Sequence, residues 1–346
     1  MATHLFLAST PFNMLTSAMV AMELPEGDQA YLGLIDQPEV ERPFVSALNN
    51  WLDSPFKQTA LLSNQAKGKG KRIKRKLAFN NIAQVIDDIR PEKIYTGNDR
   101  RIEFQFAMHH STKQQSSAIG IYLDDGTYSY LGRKTHWLKD QVIDNLVKKL
   151  SYGFWWQQPS TIGASNWISQ AILAFPESAV AALKAKQCAA LPENLKRTEF
   201  KQLAQLCLEQ FDYSAKELQN IEALIMLPHE SVATDQTKNK LSYWLVNQGA
   251  KIAFKHHPRT SITDSQGDKE AWLIPDRAIS VPAGIPMEVL LPLIQPTCSL
   301  AGDVSTALLT AKWLRPELNV TAFATPNTSP EWLDLLNLLN IKIEIV

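Results

Sequence analysis

Three short polar islands in this chain of 346 residues carry side chains able to move protons and hold a phosphate: Asp124-Asp125-Gly126, Lys255-His256-His257-Pro258 and Ser305-Thr306. The first follows Ile119 to Leu123, a β-rich apolar run that ends abruptly in two carboxylates and a glycine. A buried strand reads this way where it surfaces at the carboxyl edge of a sheet, and that edge is where open α/β sheets place their ligands. Alternation puts Tyr122 and Asp124 on one face of the strand, Leu123 and Asp125 on the other. One carboxylate can therefore face a ligand while its neighbour faces supporting backbone, and the pattern does not say which. Asp-Gly is also ordinary turn chemistry. The islands downstream are what favour a site.

A carboxylate at a strand end can accept a proton, while a lysine and a histidine at another strand end can bind a phosphate. Hydroxyls at a helix start add donors in the field of its dipole. Such a set suits a displacement in which a sugar leaves a nucleotide phosphate and an acceptor hydroxyl attacks. An acidic base activates the attacker, and the His257 imidazolium neutralises or protonates the departing phosphate; losing either is expected to cost roughly 10²–10⁴-fold in rate. The turn Ser9-Thr10-Pro11-Phe12-Asn13 adds hydroxyls and an amide between a strand and a helix. It reads either as a helix cap with Pro at the first position or as a turn offering N–H groups to an anion or sugar.

The elements that must position these islands alternate along the chain. Strand patterns at His4–Ser9, Ala30–Ile35, Thr59–Leu62, Lys93–Thr96 and Ile119–Leu123 are separated by helical patterns at Phe12–Met22, Val40–Leu52, Ile73–Ile89 and Arg101–His109. This is the order of βαβ units on a parallel sheet. Trp137–Leu150 reads as helix, Ala171–Phe175 as a last strand, and Ser178–Phe211 as helices joining two lobes. A second alternation follows, with strands at Ala223–Leu227, Lys251–Lys255, Ala278–Val281, Thr297–Leu300, Val320–Ala324 and Ile341–Val346. The expected fold is therefore α/β, two Rossmann-like domains facing a cleft, the GT-B arrangement. Residues 1–190 would form an acceptor-binding domain and residues 191–346 a nucleotide-sugar-binding domain.

Bulk composition narrows the partners. Lys plus Arg equal Asp plus Glu at 35 each, so net charge points to none. The three cysteines form no CxxC pair and are expected to be reduced, in the cytoplasm. No secretory leader or membrane span is expected, since Glu288 and four prolines interrupt the most apolar stretch, Ala278 to Gly302. The absence of GxGxxG after the first strand argues against hydride chemistry. One strong charge run stands out, Lys67–Lys76 (KGKGKRIKRK). It is a solvated loop, or a patch for an anionic glycan acceptor or for the anionic inner face of the membrane, held peripherally. Nucleic acid is disfavoured because no aromatic residue is interleaved with the charges. The aromatic cluster Phe154-Trp155-Trp156 is expected to serve packing.

Asp124-Asp125-Gly126, Lys255-x-His257-Pro258 and Ser305-Thr306 resemble, in order, the D/E-D/E-G, His-Pro and paired-hydroxyl motifs of bacterial sialyltransferases. The similarity is to glycosyltransferase family 52 and the related bacterial polysialyltransferases, and Thr10-Pro11-Phe12 and Gly284–Leu290 are also similar to stretches there. The resemblance implies an inverting, metal-independent transfer of sialic acid from CMP-sialic acid to a cell-surface glycan such as lipooligosaccharide, O-antigen or capsule. It implies Asp124 as general base, His257 acting on the CMP phosphate, Lys255 and Glu288 binding the nucleotide, and Ser305 and Thr306 holding the phosphate. Asn13, Gly126 and Pro258 complete the expected substrate contacts. No cofactor is expected, and no Asp-x-Asp pair is present to hold a divalent cation. Two other readings fit the same pattern: a transferase using another nucleotide sugar, and a non-catalytic glycan-assembly protein of the same fold.

Overall fold

The computed structural model describes residues 1–38, 43–66, 68, 70–114, 117–133, 145–195, 197–257, 269 and 271–346. Contacts divide the chain into two compact units, one of Met1–Arg42 with Leu52–Asn194, the other of Pro43–Trp51 with Leu195–Val346.

The first unit is a seven-stranded parallel sheet in the order β3-β2-β1-β4-β5-β6-β7. Its strands are β1 (Thr3–Ala8), β2 (Gln29–Leu34), β3 (Phe56–Leu61), β4 (Lys93–Thr96), β5 (Ile119–Leu123), β6 (Ile168–Leu173) and β7 (Gln187–Ala190). Helices α1 (Pro11–Ala21), α3 (Lys71–Ile89) and α4 (Ile102–Ser111) provide crossovers, and the short α5 (Tyr128–Leu131), α6 (Asn145–Tyr152) and α7 (Ala181–Lys184) follow β5 and β6. Leu5, Leu7, Ile82, Ile86, Ile94 and Phe104 belong to one buried cluster. Phe6, on the opposite face of β1, stacks on Tyr95 at 4.1 Å between ring centroids. Burial on both faces is why these strands read as continuous apolar runs.

The second unit has six parallel strands in the order β10-β9-β8-β11-β12-β13. They are β8 (Ala223–Met226), β9 (Ile252–Lys255), β10 (Ile279–Val281), β11 (Ser299–Asp303), β12 (Asn319–Ala324) and β13 (Lys342–Ile345). Its helices are α2 (Pro43–Asn49), α8 (Thr198–Glu209), α9 (Ala215–Leu218), α10 (Asp235–Val246), α11 (Met287–Leu290), α12 (Thr306–Leu314) and α13 (Pro330–Leu338). Ile225, Leu241, Trp244 and Phe254 lie in its core cluster. The helix expected over Val40–Leu52 is α2, and contacts place it with the second unit, where Trp51 meets Phe200 at 5.7 Å between ring centroids. In both sheets the order reverses beside the first strand, between β1 and β4 and between β8 and β11, leaving a crevice at each carboxyl edge.

One expectation fails. The stretch read as helices, Ser178 to Phe211, contains strand β7, so β6 is not the last strand of its sheet. β7 is a mostly exposed edge strand of Gln, Cys and two Ala that pairs only with β6. Its residues have little strand preference of their own, and the open hydrogen-bonding edge of β6 made it a strand. Of the helix expected over Trp137–Leu150, residues 137–144 lie outside the described residues and the rest is in α6.

Gly120 in β5 is required by its neighbour, since a Cβ there would stand 2.0 Å from the carbonyl oxygen of Trp167. Backbone cannot yield as a side chain can. Gly120→Val is expected to cost about 3 kcal/mol and to lower the melting temperature by roughly 6–12 °C, measured by calorimetry.

Candidate active site

In the first unit the site is built where β5 runs out. Asp124 is buried and accepts from Gly126 N (2.8 Å), Ser129 Oγ (2.7 Å), Ala174 N (2.9 Å) and the Tyr130 hydroxyl. Its oxygens therefore tie the corner after β5 to α5 and to the end of β6. Gly126 makes the turn possible at φ +88°, a value costly for any side chain. Burial pushes the Asp124 pKa up, and the four donors oppose that rise.

Asp125 is held differently. Its Oδ1 accepts from Asn13 Nδ2 at 3.0 Å, and its own N–H donates to the Tyr122 hydroxyl at 3.2 Å. Burial raises its pKa to about 7; the Asp124 and Asp99 charges act in the same direction, and the Asn13 hydrogen bond and Arg101 against it. A carboxylate that ionises near neutrality suits general-base work.

Asn13 is positioned in turn by its own turn. Thr10 caps α1 by accepting from Asn13 N at 3.1 Å, and the Ser9 hydroxyl donates to Asn13 Oδ1 at 3.3 Å, which aims the amide nitrogen at Asp125. Across the crevice a Cβ on Gly97 would fall 2.1 Å from Asn13 Nδ2, so only glycine leaves room for the amide. The cap and the ligand-facing readings of this turn are thus joined, with the cap orienting the residue that supports the carboxylate.

In the second unit β9 delivers Lys255, His256 and His257. Lys255 is buried, and its ammonium donates to Ala283 O at 2.7 Å and His256 O at 3.3 Å. Burial lowers its pKa to about 8, while Glu288 on α11 favours the charged form. Burial also raises the Glu288 carboxyl, and the Lys255 charge restrains it. The His257 ring meets His229 edge to face at 5.4 Å. Ser305 occupies the cap position of α12 at the sheet's crevice, yet its hydroxyl does not cap the helix, and Thr306 opens the first turn. Pro258 lies outside the described residues.

Within each unit the structure gathers the expected residues at one sheet edge: Asn13, Asp124, Asp125 and Gly126 in the first, and Lys255, His257, Glu288, Ser305 and Thr306 in the second. It also adds residues that the sequence reading missed. Asp99, fully buried after β4, accepts from Gly163 N and Ser165 N, both at 2.8 Å. Arg101 pairs with Asp36 and lines a cavity of about 200 Å³ with Arg75, Arg100, Lys148 and Trp156. His229 follows β8, and its Nδ1 accepts from Ser231 N at 3.2 Å. All three follow strand patterns already legible in the sequence, Lys93–Thr96 and Ala223–Leu227, and that was the available signal.

A family model described as Alpha-2,8-polysialyltransferase (POLYST) matches residues 39–324. The chain belongs to this polysialyltransferase family. Among solved structures it is similar to an alpha/beta-galactoside alpha-2,3-sialyltransferase from Photobacterium phosphoreum, with a TM-score of 0.62 at 12% identity over 99% of this chain and 97% of that one. The GT-B domain of a sialyltransferase from Photobacterium damselae gives 0.55 at 15%, over all of both chains. A UDP-GlcNAc 2-epimerase from Methanocaldococcus jannaschii also gives 0.55, at 10%, over 100% of this chain and 89% of that one. These likenesses show the GT-B fold alone. No curated protein matches the sequence. Family and fold together make the chain a glycosyltransferase of the sialyltransferase kind, in line with its motifs.

Two outcomes test the division of labour in this polysialyltransferase-family corner. Asn13→Ala removes a donor to the charged form, so the Asp125 pKa should rise above about 7, read from its carboxyl carbon shift against pH. Asp124→Asn turns an amide nitrogen toward donors and should cost about 2–4 kcal/mol in urea unfolding; an unchanged midpoint would mean that the Asp124 carboxylate does not hold the corner.

Proposed function

We propose that this enzyme transfers sialic acid from CMP-sialic acid to a hydroxyl of a cell-surface glycan by one in-line displacement, with inversion and without a metal. The observation that carries the reading is the contrast between the two carboxylates, Asp124 consumed by four donors and Asp125 held by one side-chain donor with a pKa of about 7. Asp125 is the general base and Asp124 the residue that positions it. The acceptor O–H gives its proton to Asp125 as its oxygen bonds to the anomeric carbon. The bond from that carbon to the CMP phosphate breaks, and its electron pair leaves on the phosphate.

Residues at the second unit's own sheet edge offer the donors that a leaving phosphate needs. His257 supplies an imidazolium to the phosphate, Ser305, Thr306 and the amino terminus of α12 supply donors, and Lys255 with Glu288 shapes the nucleotide contact. A monophosphate leaving group needs less neutralisation than a diphosphate, which is why no metal enters. The family description names an alpha-2,8-polysialyl product, whose growing end is itself anionic. The cavity lined by Arg75, Arg100, Arg101 and Lys148 also holds Asp36 and Glu103, and its surplus of cations suits such an acceptor. The reaction is assigned to the cytoplasm, which fits three unpaired cysteines.

Thermal shift should rank CMP above UDP, GDP and CDP, and CMP release from CMP-sialic acid should survive EDTA. With Asp125 as base, kcat/KM should fall tenfold per pH unit below about 7, where the carboxylate protonates, and hold above it until another group titrates. Asp125→Asn should abolish that acid limb and cost about 10²–10⁴-fold in kcat, with His257→Ala in the same range. Full activity in Asp125→Asn would sink the base assignment. Tighter binding of another nucleotide, with no CMP release, would assign a different donor.

A further inference from the structure

Helix α6 has the sequence of an amphipathic helix, NLVKKLSY, yet buries none of its residues. Its outer row is apolar: Leu146 is 57% exposed, Val147 55%, Leu150 76%, and Phe154, just past Gly153, 87%. Leu150 lies four residues from Leu146 and three from Val147, so the three share a stripe. The inner row carries the attachment to the first unit. The Lys148 ammonium sits 4.8 Å from the Trp156 ring centroid, and Tyr152 packs against Trp156 and takes the Arg75 guanidinium at 4.8 Å from its own centroid.

A surface helix ordinarily turns its apolar stripe to the core. This one is fastened by cation–π contacts with the stripe outward, the orientation of a helix lying in a membrane interface. Cations border it. Lys149 is on α6 itself, and the Arg75–Tyr152 contact brings the start of α3 alongside. Lys71 and Arg72, four and three residues before Arg75, are exposed on that same side of α3. The first two turns of α3 hold five basic residues and no acid in the first turn, at the end of the helix where the dipole disfavours positive charge. An anionic partner reverses that penalty.

We propose that α6 and the first turn of α3 dock the enzyme on an anionic lipid bilayer, with Leu146, Leu150 and Phe154 entering the interface and Lys71, Arg72 and Lys149 facing headgroup phosphates. The contact is peripheral, since no helix among the described residues is long and apolar enough to cross a membrane. It rests on the sialyltransferase reading only for what it would deliver. Arg75, Lys148, Tyr152 and Trp156, which fasten α6, also line the cation-rich cavity that reaches Arg101, so a lipid-borne acceptor would be presented beside the Asp125 edge.

Flotation of the full chain with phosphatidylcholine vesicles, with and without phosphatidylglycerol, tests the surface. The protein should float with the phosphatidylglycerol vesicles, less so as salt is raised. Leu150→Asp/Phe154→Asp should float at least about tenfold less with an unchanged melting temperature. Three results overturn the proposal: no flotation with either vesicle, equal flotation of the double variant, or a dimer in velocity sedimentation that the variant splits while neither floats. The last would give the stripe to a second copy. Flotation needs no turnover, so its failure and that of the transferase assay are separate outcomes.

Discussion

The carboxylate of Asp124 holds the first unit's site together. Four donors from three separate stretches converge on one buried group: Gly126 from its own turn, Ser129 and Tyr130 from α5, and Ala174 from beyond β6. A buried carboxylate without those donors would cost several kcal/mol. With them it fixes the course of the chain as it leaves the sheet, and Asp125 inherits a defined orientation. Tyr122 joins the same arrangement, because its hydroxyl meets both Ser129 Oγ at 2.9 Å and the Asp125 backbone N–H.

Two neighbouring acids thereby acquire different chemistry from their surroundings alone. The one rich in donors ties the corner after β5 to α5 and to the end of β6. The one with a single side-chain donor, flanked by the charges of Asp124 and Asp99, has its ionisation moved toward neutral pH. Asn13 and Arg101 limit that rise. This separation of paired carboxylates by environment follows the general rule that burial and like charge raise an acid's pKa while donors lower it.

The second unit repeats the strand order but sets a buried lysine, a glutamate and histidines at its edge. Lys255, His256 and His257 leave β9, His229 leaves β8, and α12 points its amino terminus at the crevice beside β11. A formal net charge of zero conceals the basic start of α3. The same GT-B fold in an epimerase shows that the sheets are a frame. Specific chemistry resides in what stands at their edges.

Much of this was legible in the sequence. Apolar runs that end in polar islands located the strand ends, their alternation set two parallel α/β sheets, and the three motifs pointed to the family that the chain belongs to. Local spacing carries that information because strand period and turn chemistry are local properties. Tertiary structure decided what depends on remote partners. Alternation could place Asp124 and Asp125 on opposite faces, but the donors that separate them include Ala174 and Asn13, 50 and 112 positions away. Strand β7 formed because β6 offered it an edge, α2 packed with a unit that its position in the chain does not suggest, and α6 turned its leucines outward because Trp156 and Arg75 hold its other face. A residue's type and neighbours along the chain determine what it can do; which groups meet it in space determines what it does.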